Sequence, residues 1–243
     1  MGKIFTKNNA TRSGIRDSWN AYLLEGAEWT EQENPIVSST ATTPPAEVVS
    51  YRTAKDIDKI KRKIEPDYKI EAYIHFYLDD NQFDCKTNGL WAKPEEFFRI
   101  ASHFAGVIGP DFSIYADFPK PLRNFQIYRM RLFEFACNNR GIPVIVNARW
   151  GSPETWKSTI DEFPKNSMLA IGVVGSRLKY LENKYCFEAG FKYLLNTKTP
   201  HTLIVIGSAN YPCFKEAKAQ GVQVIQFDGD TCKYFKQQRE VNK

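Results

Sequence analysis

The chain has 243 residues, 42% of them hydrophobic and 25% charged, with 33 Lys and Arg against 28 Asp and Glu for a net charge of +5. These values exclude a wholly disordered chain, a collagen-like repeat and a disulfide scaffold, and the length suits one domain with an appendage or at most two small domains. The longest clean apolar run, residues 169–175, is far short of the roughly 20 residues that span a bilayer, so neither a transmembrane helix nor a membrane partner is expected.

Residues 1–16 are polar and basic with no apolar segment behind them, so no secretory signal is readable and a cytoplasmic location is expected. From residue 1 to about 67 the chain stays polar, with a Ser/Thr/Ala/Pro stretch at 38–45 and a charge run at 55–63. It predicts an irregular N-terminal arm (1–67) carrying at most a short strand at 48–51. After residue 68 short apolar runs alternate with helical spacing. Strands are predicted at 70–78, 106–108, 143–148, 168–174, 202–206 and 222–227.

The intervening segments read as helices. One over 94–104 opens on Pro then Glu-Glu, which suits a helix N-terminus. The next, over 121–139, sets Phe125, Tyr128, Leu132 and Phe135 on one face and stops before Gly141. A further start falls at Ser152-Pro153-Glu154, followed by helices over 181–195 and 212–219. Residues 68–243 therefore read as one α/β domain of six or seven mostly parallel strands, either an incomplete (β/α) barrel or an open doubly wound sheet. Most strands are apolar on both faces, as a parallel sheet covered on each side requires.

Both architectures bind ligands beyond the carboxyl ends of the strands, so the residues there are the candidate site. Asp79 and Asp80 could hold Mg²⁺ through carboxylate oxygens, a solvated turn being the competing reading. His75 reads as a core histidine, and no histidine pair has zinc-ligand spacing. Gly109 to Ser113 and Asp117 follow the next strand, offering Asp111 or Asp117 as a general base and Ser113 as a hydroxyl ligand; turn and helix-cap chemistry explains them as well. Asn147, Arg149 and Trp150 end the most apolar strand. An arginine there needs a carboxylate or an anionic ligand, so Arg149 is the leading anion contact, with an ion pair to Asp111 or Asp117 as the alternative. Gly172 with Gly175, and Gly207 with Ser208 and Asn210, would let backbone N–H groups approach a phosphate, although tight turns account for them equally.

Between residues 120 and 150 six basic residues (Lys120, Arg123, Arg129, Arg131, Arg140, Arg149) face one acid, Glu134. Arg123 and Arg131 lie within about 80° of each other on a helix, a face that could contact nucleic-acid phosphates or remain solvated. The five cysteines (Cys85, Cys137, Cys186, Cys213, Cys232) are scattered and odd in number, which fits free thiols. The residues therefore support either an enzyme that binds a phosphate-bearing nucleotide or nucleic-acid end at the strand rim, or a non-catalytic module that binds nucleic acid or protein through the basic 120–140 helix.

The runs 75–80, 110–115, 117–119, 128–129, 147–151, 164–167 and 207–210, taken together and in order, resemble a phage- and mobile-element-associated bacterial family, domain of unknown function 4417. The resemblance covers about 75–228 and leaves the arm outside. It implies a β-α domain of phage and mobile-element genomes and assigns no catalytic residue.

Overall fold

The computed structural model describes residues 17–115 and 117–241, so the reading of residues 1–16 lies outside the described part. Seven strands form one parallel sheet: β1 (Glu47–Ser50), β2 (Ile70–His75), β3 (Phe104–Ile108), β4 (Val144–Asn147), β5 (Met168–Gly172), β6 (Thr202–Ile206) and β7 (Gln223–Phe227). Their spatial order is their chain order, and every neighbouring pair is parallel. A doubly wound sheet reverses its strand order at a switch point. None occurs here, so the sheet curls into an α/β half-barrel.

The helices are α1 (Tyr51–Ile64), α2 (Asp80–Phe83), α3 (Pro94–Ala101), α4 (Lys120–Asn139), α5 (Leu181–Lys198), α6 (Pro212–Ala219) and α7 (Asp230–Val241). The start expected at Ser152 is a 3-10 segment, Pro153–Ser158. The strand expected to reach residue 78 ends at His75, because the chain turns there and Leu78 N–H donates to Phe76 O.

Strand alternation divides the core. In β5, Leu169 and Ile171 join the core under α5 and α6, whereas Met168 and Ala170 turn to the concave face with Tyr73, Tyr77, Ile108, Ile145 and Ile204. The double-sided apolar pattern thus arises from helices on the convex face and the sheet's own curl on the other, rather than from two helical layers.

β1 is the short strand expected near 48–51, whereas residues 51–64 depart from the irregular-arm expectation by forming the fourteen-residue α1. Ser50 caps α1 by accepting from Thr53 N–H (3.2 Å), and Lys61, Arg62 and Lys63 complement the helix dipole at the other end. Tyr51, Ala54 and Asp58 turn inward. The preceding segment works as a strap on β4: Thr40 and Ala41 N–H donate to Val144 O, while Thr40 Oγ1 and Ser39 Oγ accept from Val144 and Val146 N–H. It occupies the β5-facing edge of β4 before β5 joins at Val146.

The gap between β7 and β1 is spanned by α7. Lys233 Nζ donates to Val48 O (2.7 Å), and Arg52 on α1 pairs with Asp230 (3.3 Å). Among the described residues no helix is long and apolar enough to cross a membrane. All five cysteines are free.

Candidate functional site

The ends of β2, β3, β4 and β5 bring their following loops to one rim. The centre is Asn147, the last residue of β4, which is fully buried. Its Oδ1 accepts from the Tyr77 hydroxyl (3.0 Å), and its Nδ2 donates to Pro110 O (2.8 Å) and Asp111 Oδ1 (3.0 Å). Three strand ends are thereby tied through one amide. Asp111 Oδ2 in turn accepts from Arg149 Nη1 (3.3 Å). The Arg149 side chain makes no other hydrogen bond among the described residues and is 21% exposed. Part of its guanidinium therefore remains available at the surface.

Below this network lies a buried ion pair, Arg131 with Glu134 on α4. Glu134 Oε1 accepts from Asn147 N–H (2.8 Å) and Arg131 Nη2 donates to Asn147 O (3.3 Å), so α4 grips the backbone of β4 at the site. Burial pushes the Glu134 carboxyl up, against the pull of Arg131 and the Asn147 N–H. Gly109 leaves room for that carboxylate, since any side chain there would run into Glu134. The Tyr77 hydroxyl is also raised, mainly by burial and then by Asp111.

Two cavities open on the rim. The first, of about 400 Å³, is bordered by Asp79, Asp111, Ser113, Arg149 and Gly175, with Arg52 and residues of α7 forming its far wall. The second, of about 460 Å³, holds Asp117, Trp150, Gly172 and Arg177. They share Asp79, Tyr115, Arg149 and Gly175 and so form one two-lobed cleft.

Eight expected site residues are thus brought together: Asp79, Asp111, Ser113, Asp117, Arg149, Trp150, Gly172 and Gly175. Asn147 lies directly beneath them as a positioning group. Asp80 points away from its neighbour: it accepts from Ser113 Oγ (2.9 Å) and N–H (3.2 Å), clasping the β2 and β3 loops. Burial raises its carboxyl, the Ser113 bonds oppose that, and Asp111 adds to it. Among the described residues no three His, Cys, Asp or Glu side chains gather as a metal cluster. Asp80 is thus engaged by Ser113, while Asp79 lines the cleft.

Gly172 has a structural explanation, because a Cβ there would collide with the Tyr77 ring. Gly175, at φ 78°, meets the left-handed requirement of the β5 loop. Gly207, Ser208 and Asn210 border neither cavity; Gly207 packs on Val174, and Ser208 Oγ accepts from Asn210 N–H (3.3 Å). The turn reading fits them.

The basic face expected on α4 is corrected. Arg131 is 0% exposed and paired with Glu134, and Arg123 is mostly buried against Glu154 (2.9 Å). Arg129, too, is buried on Phe112 and paired with Asp84. The Arg131 guanidinium, without exposed surface, cannot reach a phosphate, and the Arg123 and Arg129 side chains keep only 11% and 10% exposure beside their carboxylate partners.

Sequence reasoning missed Arg52, Tyr77, Tyr115, Arg177, Asp230, Tyr234 and Phe235 at the cleft. Tyr77 was detectable, because the alternation Tyr73, His75, Tyr77 runs through the segment expected as a strand over 70–78. Arg177 follows directly on the Gly175-Ser176 turn. Arg52 carried no local signal.

The fold and rim define a parallel α/β half-barrel protein with a polar cleft at its strand carboxyl ends. The profile of the domain of unknown function DUF4417 matches residues 30–228, and the chain belongs to that family. The match begins well before residue 75, taking in the strap, β1 and α1 that the sequence resemblance had left out. The chain is 30% identical over 138 residues to the Gene 1 protein of Mycobacterium phage D29, covering 57% of this chain and 49% of that protein. It is 28% identical over 138 residues to the Gene 1 protein of Mycobacterium phage L5, covering 57% and 58%. The chain spans about half the length of these curated relatives. No solved structure matches it. Both of these relatives are proteins of Mycobacterium phages.

Proposed function

We propose that the cleft binds a phosphate-bearing nucleotide or a nucleic-acid end as the substrate of an enzyme, with Arg149 as the anion contact. The carrying observation is the state of that guanidinium: one nitrogen is fixed by Asp111 at 3.3 Å, and the rest meets no described partner where the two lobes join. A planar guanidinium fork suits phosphate oxygens.

Charge bookkeeping in the first lobe supports a cation carried in with the ligand. Asp111 is paired with Arg149 and Asp230 with Arg52, which leaves Asp79 as the carboxylate without a cationic partner. Mg²⁺ commonly takes one carboxylate together with ligand phosphates and waters. Asp79 is the residue to supply that carboxylate, and Asp111 is the acceptor to orient or deprotonate an attacking group. Asp117 in the second lobe is the other candidate base, and Ser113 the hydroxyl contact.

Thermal unfolding with nucleotides, with and without Mg²⁺, tests the reading. A ligand at a hundredfold excess over its Kd adds roughly 2.7 kcal/mol, or several degrees of Tm. The wild type should show that shift, and Arg149→Ala, compared with its own ligand-free Tm, should not. If no nucleotide or oligonucleotide stabilises the wild type, the cleft is not a nucleotide site.

A further inference from the structure

We infer that the ligand is a single strand spanning at least two nucleotides rather than a mononucleotide, an inference that rests on the nucleotide reading above. The cleft alternates cations and aromatic walls. Arg52 borders only the first lobe, Arg149 both and Arg177 only the second, so three guanidinium groups follow one another along its length.

Between them stand rings. Tyr115, Tyr234 and Phe235 border the first lobe and are each more than half exposed. In the second lobe, Trp150 stacks on Phe187, with ring centroids 5.2 Å apart. Each lobe, at about 400 and about 460 Å³, is large enough for a small ligand by itself. A nucleic-acid strand carries the matching alternation of base and phosphate. Exposed rings offer stacking that tolerates any base, while cations track the backbone. A mononucleotide would fill one lobe and leave the other lobe's rings and guanidinium unused.

Fluorescence anisotropy of labelled eight-residue oligo-dT and oligo-U, competed with dTMP, the dinucleotide pdTdT and a blunt duplex, tests this. Stacking a second base should make pdTdT compete on the order of tenfold better than dTMP. Tyr234→Ala with Phe235→Ala should weaken the labelled strand on the order of tenfold. Arg177→Ala should weaken it as well and reduce the slope of log K against log salt by about one. The DNA and RNA arms decide which backbone is taken. Equal competition by dTMP and pdTdT, duplex binding as tight as single strand, or variants without effect would overturn the strand reading. Arg149-dependent dTMP binding would meanwhile leave the nucleotide reading standing. If nothing binds, both fail.

Discussion

Asn147 is the residue on which the rim is assembled, since its two backbone groups are held by α4 and its side chain holds Tyr77, Pro110 and Asp111. Its own support is the Arg131–Glu134 pair. Removing one partner of a buried pair leaves an uncompensated charge and costs about 3–5 kcal/mol, whereas an apolar replacement of both is far milder. Arg131→Ala should therefore destabilise by about that amount in urea unfolding, and Arg131→Met with Glu134→Leu should recover part of it. A double variant no better than the single would show that the pair has no such coupling. His75 carries a second residue-scale prediction. It is wholly buried at the end of β2, with Nδ1 accepting from Tyr77 N–H (3.3 Å) and Nε2 lying 3.9 Å from Asp230 without a hydrogen-bond partner. Burial lowers its pKa to about 4, with Asp230 pulling it up and Lys233 down. Between the unfolded value near 6.5 and about 4 the unfolded state binds more protons, so stability falls as pH is lowered through that window. His75→Phe should flatten the fall; an unchanged slope would assign it to another group. Asp58, held below its ordinary value chiefly by the Arg99 hydrogen bonds at 2.7 and 2.9 Å, acts only at lower pH.

At the scale of elements, legibility followed how one-sided the environment is. The strand at 202–206 and the helix at 212–219 match β6 and α6 to the residue, because apolar run, proline start and glycine stop agree there. In α1 the charge run hid a helix whose cap at Ser50 and inward spacing at Tyr51, Ala54 and Asp58 were both present in the sequence. The opposite error occurred in α4. The angle between Arg123 and Arg131 was sound, but periodicity gives relative position and not which side meets protein. Arg129, Arg131 and Glu134 are buried along with the apolar residues of α4, so it is not an ordinary surface helix with one wet face. The strap supplies the prediction here. Ser39→Ala with Thr40→Val would leave the Val146 and Val144 N–H groups without their acceptors. An unsatisfied buried donor costs about 1–3 kcal/mol, so the pair should lower the unfolding free energy by a few kcal/mol in denaturant titration. A loss below about 0.5 kcal/mol would mean that water replaces the strap, as at an ordinary exposed surface position.

For the molecule as a whole, closure is the decisive feature: seven strands leave an opening that α7 covers from beyond the family-matched residues. Truncation after Gly229 should remove one wall of the first lobe and uncover the edges of β1 and β7. Hydrogen exchange in both strands should accelerate, and the exposed edges should promote self-association. Unchanged exchange there would show that α7 does not protect the edges. The sequence by itself determined the class, the parallel β-α alternation and the loops that carry polar residues, because these follow from local periodicity, turn chemistry and strand polarity. Only the tertiary structure decided that the sheet curls, that Arg131 is buried while Arg149 is not, that Asp80 clasps Ser113, and that Arg52 and α7 reach a cleft made by strands far from them in the chain. Those outcomes depend on which faces meet when the strands pack side by side, a long-range condition that no local spacing encodes.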